Sequence, residues 1–322
     1  MFKKSCRIKN FPISFLAIVL GLAGFSLAIQ KMEELFKVES LFSPWISLFT
    51  ALVFLTIGFL YLVKMIYHFK EVKKEYKNPI KLNFYPIIAK VFLIFSIILL
   101  GYNLIYFSKI LWMIGASLQF IFTILILSVW MHKDKFQIKH INPALFIPIV
   151  GNIIVPIAGV THFNNELSWF FFSVGMILWL IFMVIIFYRI VFHDPLPRKL
   201  IPTFFILMAP PAIGFISYIK LTGSLDSFAR ILYYFSVFLF LLLISQWKQF
   251  IKLKFYLSSW AYSFPLSAFT IATYLMYHLQ PEYIFFKYFT ILNIILLSII
   301  IFYLCIRTMI AIKNKEICVI EE

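Results

Sequence analysis

The chain is organised as a series of long apolar runs separated by short polar gaps. A helix that crosses a bilayer needs about 20 mostly apolar residues, because a rise of about 1.5 Å per residue must cover a hydrocarbon core of about 30 Å. Ten runs, numbered here as spans 1 to 10, have this length: 11–30, 43–67, 84–102, 107–131, 144–162, 168–191, 201–221, 228–247, 258–278 and 284–306. They predict an all-α integral membrane protein with a single transmembrane domain over residues 1–322.

Composition excludes several classes of protein. Hydrophobic residues make up 63% of the chain and charged residues 13%, whereas a soluble domain carries roughly 45–50% and about 25%. Such a chain could not cover itself with polar surface in water, which excludes a soluble enzyme or a nucleic-acid-binding protein. Cys6, Cys305 and Cys318 have neither the number nor the spacing of a disulfide framework or a metal site.

Basic residues indicate the orientation in the membrane, since cytoplasmic loops carry an excess of Lys and Arg. If the N-terminus is inside, most of the 29 Lys and Arg residues fall in inner segments. The outer segments and their margins hold only Lys31, Lys37, Lys109, Lys220, Arg230 and Lys287. We therefore expect a protein of the inner (plasma) membrane with an even number of spans and short cytoplasmic termini, 1–10 and 307–322.

Prolines are concentrated in the odd-numbered spans. Those within spans or near their inner ends are Pro12, Pro86, Pro148, Pro156, Pro202, Pro210, Pro211 and Pro265. The even-numbered spans have none in their interiors, since Pro44 opens span 2 and Pro281 precedes span 10. This alternation predicts five helical hairpins, each with one Pro-kinked helix and one helix without an internal proline.

A proline inside a helix removes one amide donor and clashes with the carbonyl four residues back. In a membrane the freed carbonyls are tolerated only where they face protein or a water-filled cavity. We therefore expect the odd spans to be central and to line a pore, with the even spans forming an outer ring. The alternative is that these prolines are ordinary features of membrane helices and imply no pore.

Charged residues inside the spans point to the kind of solute. None of the 13 acidic residues lies in a span interior, although proton relays and cation pathways usually carry such carboxylates. A pathway without negative charge, flanked by positive charge, favours anions. Lys90 in span 3 has two interpretations: it attracts anions at the inner pore mouth, or it extends its ammonium group to the cytoplasmic interface. Lys64 in span 2 is interpreted in the second way.

Motifs for chemistry are missing from the sequence. It contains no GxxxxGK[ST] phosphate loop and no GxSxG nucleophile motif. Its six histidines are scattered and show no metal-ligand spacing. We expect no enzymatic activity, no cofactor, no metal and no nucleic-acid partner.

Four segments carry a resemblance to a known family. They read FPISFLAIVLGLAGFSLA over 11–28, NPALFIPIVGNIIVPIAGV over 142–160, FYRIVFHDPLPRKLIPTFFILMAPPAIGFISY over 187–218, and SSWAYSFPLSAFTIAT over 258–273. Together they resemble the tellurite-resistance/dicarboxylate transporter family, which includes the bacterial TehA proteins and is related to the plant slow-type anion channels. The resemblance extends over essentially the whole chain.

This resemblance implies ten helices in five hairpins around a central pore, usually in a homotrimer with one pore per subunit. It also implies anion conduction and a phenylalanine on the ninth helix that plugs the pore. The matching residue is Phe264, within the run Ser263-Phe264-Pro265. A small shift of the match would give that role to Tyr262.

Three functional hypotheses follow. The favoured one is a channel or passive transporter for small inorganic or organic anions, with a phenylalanine gate. The second is a coupled carrier for C4-dicarboxylates or tellurite-related oxyanions, whose flux would depend on a proton gradient. The third is a membrane-embedded scaffold or sensor with a closed pore.

Overall fold

The computed structural model describes residues 8–132 and 137–318; parts of both expected cytoplasmic termini lie outside these ranges. Within them the chain forms twelve α-helices. They are α1 (Leu16–Phe36), α2 (Ser43–Tyr67), α3 (Phe69–Tyr76), α4 (Ile87–Gly101), α5 (Ile105–His132), α6 (Ile147–His162), α7 (Asn165–Phe192), α8 (Ala209–Thr222), α9 (Ser227–Ser245), α10 (Trp247–Ile251), α11 (Ser263–Leu279) and α12 (Ile284–Lys313).

Nine helical stretches among the described residues are long and apolar enough to cross a membrane. They correspond to expected spans 1 to 8 and span 10. Expected span 9 contains α11, a continuous helix of 17 residues. It carries hydroxyl side chains at Ser263, Ser267, Thr270 and Thr273, which lower its apolar character. The structure thus shows a helical membrane protein, and the count of ten spans stays a prediction.

The Pro-bearing spans share a local design. Each begins with a 3₁₀-helix that leads into α1, α4, α6, α8 or α11: Ile13–Phe15, Lys81–Phe84, Pro143–Phe146, Arg198–Met208 and Leu257–Tyr262. The long helices α2, α5, α7, α9 and α12 have no such leading segment. The odd and even spans therefore differ in backbone geometry as well as in sequence.

The positions of the prolines correct one expectation. Six of the eight prolines of the odd spans lie at a helix start and not in a helix interior: Pro12, Pro86, Pro148, Pro210, Pro211 and Pro265. The first turn of a helix tolerates proline because its amide groups have no intrahelical acceptor. Pro12 precedes a 3₁₀-helix, the other five lie where an α-helix begins, and Pro202 lies inside the 3₁₀-helix Arg198–Met208.

Pro156 is the proposed kink residue that lies inside an α-helix. Neighbouring helices donate hydrogen bonds to carbonyl groups around it. Trp112 Nε1 donates to the Val155 carbonyl at 2.9 Å, and the Ser217 hydroxyl donates to the Ile153 carbonyl. These two carbonyl groups of α6 thus accept hydrogen bonds from neighbouring protein, an arrangement that suits a membrane interior.

Burial separates the two sets of helices. In the most apolar 18-residue windows of expected spans 1, 3, 5 and 7, the buried share is 78%, 50%, 83% and 83%. In the even spans it is 17%, 33%, 39%, 39% and 33%. Most side chains of α11 are also buried. The odd spans are therefore interior and the even spans expose their apolar side chains, as expected from the prolines.

Contacts between helices place the interior set in a ring. α1 packs against α4, α4 against α6, α6 against α8, α8 against α11, and α11 against α1. Each ring helix also contacts the long helix that follows it in the chain, in the pairs α1–α2, α4–α5, α6–α7, α8–α9 and α11–α12. The ring encloses the centre of the molecule, where a pathway across the bilayer could run.

Candidate functional site

Two cavities lie inside the ring. The first, here the C-side cavity, has a volume of about 380 Å³ and is lined by α1, α4, α6, α8 and α11 toward their C-terminal ends. Its wall is largely apolar, with isoleucines contributed by four of the five helices: Ile94, Ile97, Ile154, Ile157, Ile213, Ile216 and Ile271. None of the outer helices contributes a lining residue.

The second, here the N-side cavity, has a volume of about 250 Å³. The first or second residue of each ring helix lines it: Ala17, Ile87, Ile147, Ala209 and Phe264. Five helix N-termini thus converge on one space. Because each N-terminus carries a partial positive charge, their convergence favours a negative charge in the cavity.

Phe264 separates the two cavities. Among the described residues it alone lines both of them, and only 8% of its surface is exposed. Tyr262, the alternative from the sequence, lines neither cavity and packs edge-on against Phe205 at 4.8 Å between ring centroids. The geometry therefore gives Phe264, and not Tyr262, the position between the cavities.

Gly24 of α1 provides the seat for the Phe264 ring. A Cβ atom built on Gly24 would lie 3.1 Å from Cδ2 of Phe264 and 3.0 Å from Cβ of Ser267. One turn earlier, a Cβ on Gly21 would lie 2.1 Å from the Ser263 hydroxyl oxygen. The two glycines let α1 approach α11 closely. This role was not predicted from the sequence, although the spacing of small residues in LGLAGFSLA could have indicated a close helix contact.

The N-side cavity is positively charged. Lys81, Lys90 and Lys199 line it, and no Asp or Glu does. Lys90 lies one turn into α4 and is 3% exposed. No carboxylate among the described residues lies within salt-bridge distance of its ammonium group. Lys90 therefore lines the cavity without a carboxylate partner.

Lys64 has a different environment from the one expected. It does not extend to the membrane interface but is buried, and its Nζ lies 2.7 Å from Glu75 Oε2. The same ammonium donates to the Phe11 carbonyl at 2.8 Å. Glu75 in α3 follows span 2 in sequence, so the pairing depends on the fold of the connecting segment. Of the two lysines inside spans, one is paired and one faces a cavity.

The C-side cavity also carries a positive excess. Its charged lining residues are Lys31, Lys220 and Glu34, together with His278. Glu34 is held by Lys31 at 2.5 Å and accepts a hydrogen bond from the Tyr274 hydroxyl at 3.0 Å. Lys220 forms no salt bridge in the part of the chain that the structure describes. One positive charge thus remains unneutralised at this mouth.

Over residues 8–132 and 137–318, no group of three or more His, Cys, Asp or Glu side chains could hold a metal ion. The site instead consists of a ring of helices, two cavities on its axis, an aromatic side chain between them, and a lysine without a salt bridge on each side. These features define the class of a multi-helix membrane protein with two internal cavities along the axis of a helix ring.

Comparison with known proteins gives the family. The model of the family described as "Voltage-dependent anion channel", SLAC1, matches residues 10–309. The chain belongs to this family, and the resemblance stated from the sequence is confirmed.

Its relatives include plant and bacterial proteins. The S-type anion channel SLAH3 of Arabidopsis thaliana is 30% identical over 282 residues, which are 84% of this chain and 44% of the relative. The guard cell S-type anion channel SLAC1 of the same plant is 26% identical over 85% of this chain and 51% of the relative. The tellurite resistance protein TehA homolog of Haemophilus influenzae is 28% identical over 84% of this chain and 83% of the relative. The chain spans about half the length of the plant relatives.

Proposed function

We propose that this protein is an anion channel or passive anion transporter, with a pathway along the axis of the helix ring. The observation that carries the proposal is the pair of cavities, which share Phe264 and are each lined by a lysine without a salt bridge, Lys90 and Lys220. Small inorganic or organic anions would enter the N-side cavity, pass the Phe264 ring and leave through the C-side cavity. The names of the relatives support the solute class, since several are anion channels.

Phe264 is the proposed gate. A bulky apolar ring at a constriction blocks an ion in two ways: it fills the space, and it removes the water that would hydrate the ion. Gly24 lets the ring rest against α1 in the closed arrangement. Opening requires the ring to leave this seat, by a change of its rotamer or by movement of α1 relative to α11.

Lys90 is the proposed anion-attracting residue. Its ammonium group faces the same cavity as the five helix N-termini, so charge and dipole act in the same direction. This arrangement resolves a difficulty of a proline-lined pore, in which exposed carbonyl oxygens would repel anions. Positive helix ends and a lysine supply the attraction, and the proline-bearing first turns place these ends at the cavity.

The assembly and topology are proposed on the same basis. Ten spans would form five hairpins in one transmembrane domain over residues 1–322, with both termini cytoplasmic in the inner (plasma) membrane. The contacts between each ring helix and its successor support the hairpins. The family resemblance supports a homotrimer with one pore in each subunit.

A coupled carrier is not favoured. Proton relays usually carry a carboxylate on the pathway, and Glu34, the only acidic residue among those lining the two cavities, is paired with Lys31. Nor do the described cavities suggest an enzyme or a cofactor site. The third hypothesis, a membrane-embedded scaffold or sensor with a closed pore, makes a different prediction from the channel. It predicts no anion flux even when the gate residue is removed.

The test is flux of chloride, nitrate and malate into liposomes for the wild type and Phe264→Ala. We expect Phe264→Ala to raise voltage-driven flux by an order of magnitude or more, because removal of the ring joins the cavities. Phe302→Ala is the matched control, since Phe302 is 69% exposed on the outer helix α12. Correctly assembled Phe264→Ala protein without flux would reject the channel, and flux that requires a proton gradient would favour the carrier.

A further inference from the structure

The short helix α3 has a basic face and a buried face. It follows α2 directly after a break at His68. Lys70, Lys73, Lys74 and Lys77, here the lysine stripe, are all exposed and are spaced as i, i+3, i+4 and i+7. This spacing places them on one side of the helix. Val72 and Glu75 on the opposite side are buried.

The lysine stripe lies at the level where a bilayer surface is expected. It begins three residues after the end of membrane helix α2, and exposed apolar side chains surround this junction. These are Ile66, Tyr67 and Phe69. Basic clusters immediately next to a membrane helix bind anionic lipid surfaces. Apolar and aromatic neighbours add anchorage in the interface.

Acidic side chains of the protein neutralise only part of the positive charge of the lysine stripe. Glu71 lies 3.1 Å from Lys74 Nζ and 3.7 Å from Lys9 Nζ. The hydrogen bond from Lys74 holds the pKa of the Glu71 carboxyl below its ordinary value, so Glu71 stays ionised. One carboxylate thus faces five lysines, and the surface keeps a clear positive excess available to an anionic partner.

The buried face of α3 connects this surface to the start of α1. Glu75 accepts hydrogen bonds from the Ile13 amide at 2.9 Å and the Tyr61 hydroxyl at 3.1 Å, and it pairs with Lys64 at 2.7 Å. Ile13 opens the 3₁₀-helix that leads into α1. The helix that carries Gly24, the seat of Phe264, is therefore tied at its N-terminal end to the underside of the basic surface.

We propose that the lysine stripe binds the phosphate headgroups of anionic lipids and that this binding holds α1 in the arrangement that closes the gate. The lipid-binding part depends only on the basic surface and its place beside α2. The gating part rests on the proposed function. The lipid would bind α3 in the arrangement in which Glu75 contacts Ile13. Binding therefore stabilises this arrangement, and with it the position of the Phe264 ring against Gly24.

Hydrogen–deuterium exchange of the full-length protein tests the lipid-binding part without requiring conduction. Vesicles of phosphatidylcholine alone are compared with vesicles that also contain phosphatidylglycerol. We expect slower exchange of the α3 amides with phosphatidylglycerol in the wild type, and no difference in the variant K70Q/K73Q/K74Q/K77Q. The matched control K248Q/K252Q/K254Q/K313Q removes four other lysines outside the stripe and should keep the wild-type response.

Two outcomes would overturn the lipid-binding part. Equal α3 exchange in both kinds of vesicle would show that the stripe is only a solvated surface. Protection by inorganic phosphate added to phosphatidylcholine vesicles would show that the partner is a free anion and not a lipid.

Anion flux tests the gating part. In vesicles containing phosphatidylglycerol we expect the four-lysine variant to conduct several-fold more than the wild type. The double variant Lys64→Met/Glu75→Leu, which also removes the acceptor of the Ile13 amide, should lose the lipid dependence of flux while its α3 keeps the lipid protection. Removing both members of the pair avoids leaving one charge buried alone. If Phe264→Ala conducts but the four-lysine variant does not differ from wild type, the proposed coupling between lipid binding and the gate is wrong. If Phe264→Ala does not conduct, the proposed function fails, but the exchange result on lipid binding still stands.

Discussion

At the scale of single residues, Lys64 and Lys90 differ because the fold gives each lysine different neighbours. Both lie in apolar spans, and for both the sequence allowed an ammonium group that extends to the membrane surface. In the fold Lys64 meets Glu75 at 2.7 Å, whereas Lys90 lines the N-side cavity with no carboxylate beside it. A buried charge without a partner is costly, and an anion in the N-side cavity would offset that cost.

Replacing Lys90 with Gln is expected to reduce chloride flux through Phe264→Ala protein by about tenfold, which corresponds to about 1.4 kcal/mol. The physical reason is the loss of one unpaired positive charge from the pathway. Lys252→Gln removes an exposed lysine that lines neither cavity and should leave flux unchanged. Equal flux with and without the Lys90→Gln substitution would show that Lys90 does not act on the anion pathway.

Gly24→Ala is expected to raise the basal flux of the otherwise wild-type protein several-fold. The added methyl group would lie 3.1 Å from the Phe264 ring, a distance that forces the ring to shift. Gly58→Ala is the matched control, because nothing lies within 4 Å of the Cβ position there. Liposome flux of both variants measures the effect, and an unchanged leak in Gly24→Ala would show that the ring does not rest on this glycine when closed.

At the scale of elements, charged side chains in the connecting segments hold helix ends together. Glu33 near the end of α1 accepts hydrogen bonds from the amides of Leu41, Phe42 and Ser43, at 3.1, 2.6 and 3.0 Å. The Ser43 hydroxyl also donates to it at 2.5 Å. One carboxylate thus satisfies orphan donors at the start of α2 and joins the first ring helix to its outer neighbour.

Glu33→Ala should destabilise the protein by about 1–3 kcal/mol, because buried amides at the start of α2 lose their acceptor. Thermal unfolding in detergent measures the loss. Glu39→Ala removes an exposed acidic residue from the same connection and should have little effect. If the two variants unfold at the same temperature, Glu33 does not cap the helix.

For the whole molecule, the closed ring of α1, α4, α6, α8 and α11 accounts for the burial pattern. Side chains of these helices pack against each other and around the cavities. The outer helices expose apolar side chains, which are favourable in contact with lipid. The orientation of this assembly follows from the basic residues, which fall mainly on the side that we assign to the cytoplasm.

Labelling of single cysteines tests that orientation in a background in which Cys6, Cys305 and Cys318 are replaced by Ser. Ser224→Cys, in the exposed connection between α8 and α9, should react with a membrane-impermeant maleimide added to intact cells. Lys315→Cys, beyond α12, should react only after the membrane is permeabilised. The reverse pattern would invert the topology.

Much of the architecture could be predicted from the sequence. Span positions follow from local hydropathy, and the division into buried and exposed helices follows from prolines that mark odd spans. The exact role of the prolines could not be predicted, because a first-turn proline and a kinking proline differ only in where the α-helix begins. That boundary depends on how the preceding 3₁₀ segment packs.

The apolar helices, their alternation and the family could all be predicted from the chain alone, because they depend on properties of neighbouring residues. The position of one of the 40 phenylalanines between two cavities, the pairing of Lys64 and the contact of Gly24 with the ring became visible only in the folded structure. Each of these facts depends on which helices meet. Phe264 and Gly24 are 240 positions apart in the chain and come within van der Waals reach only because α1 closes the ring against α11.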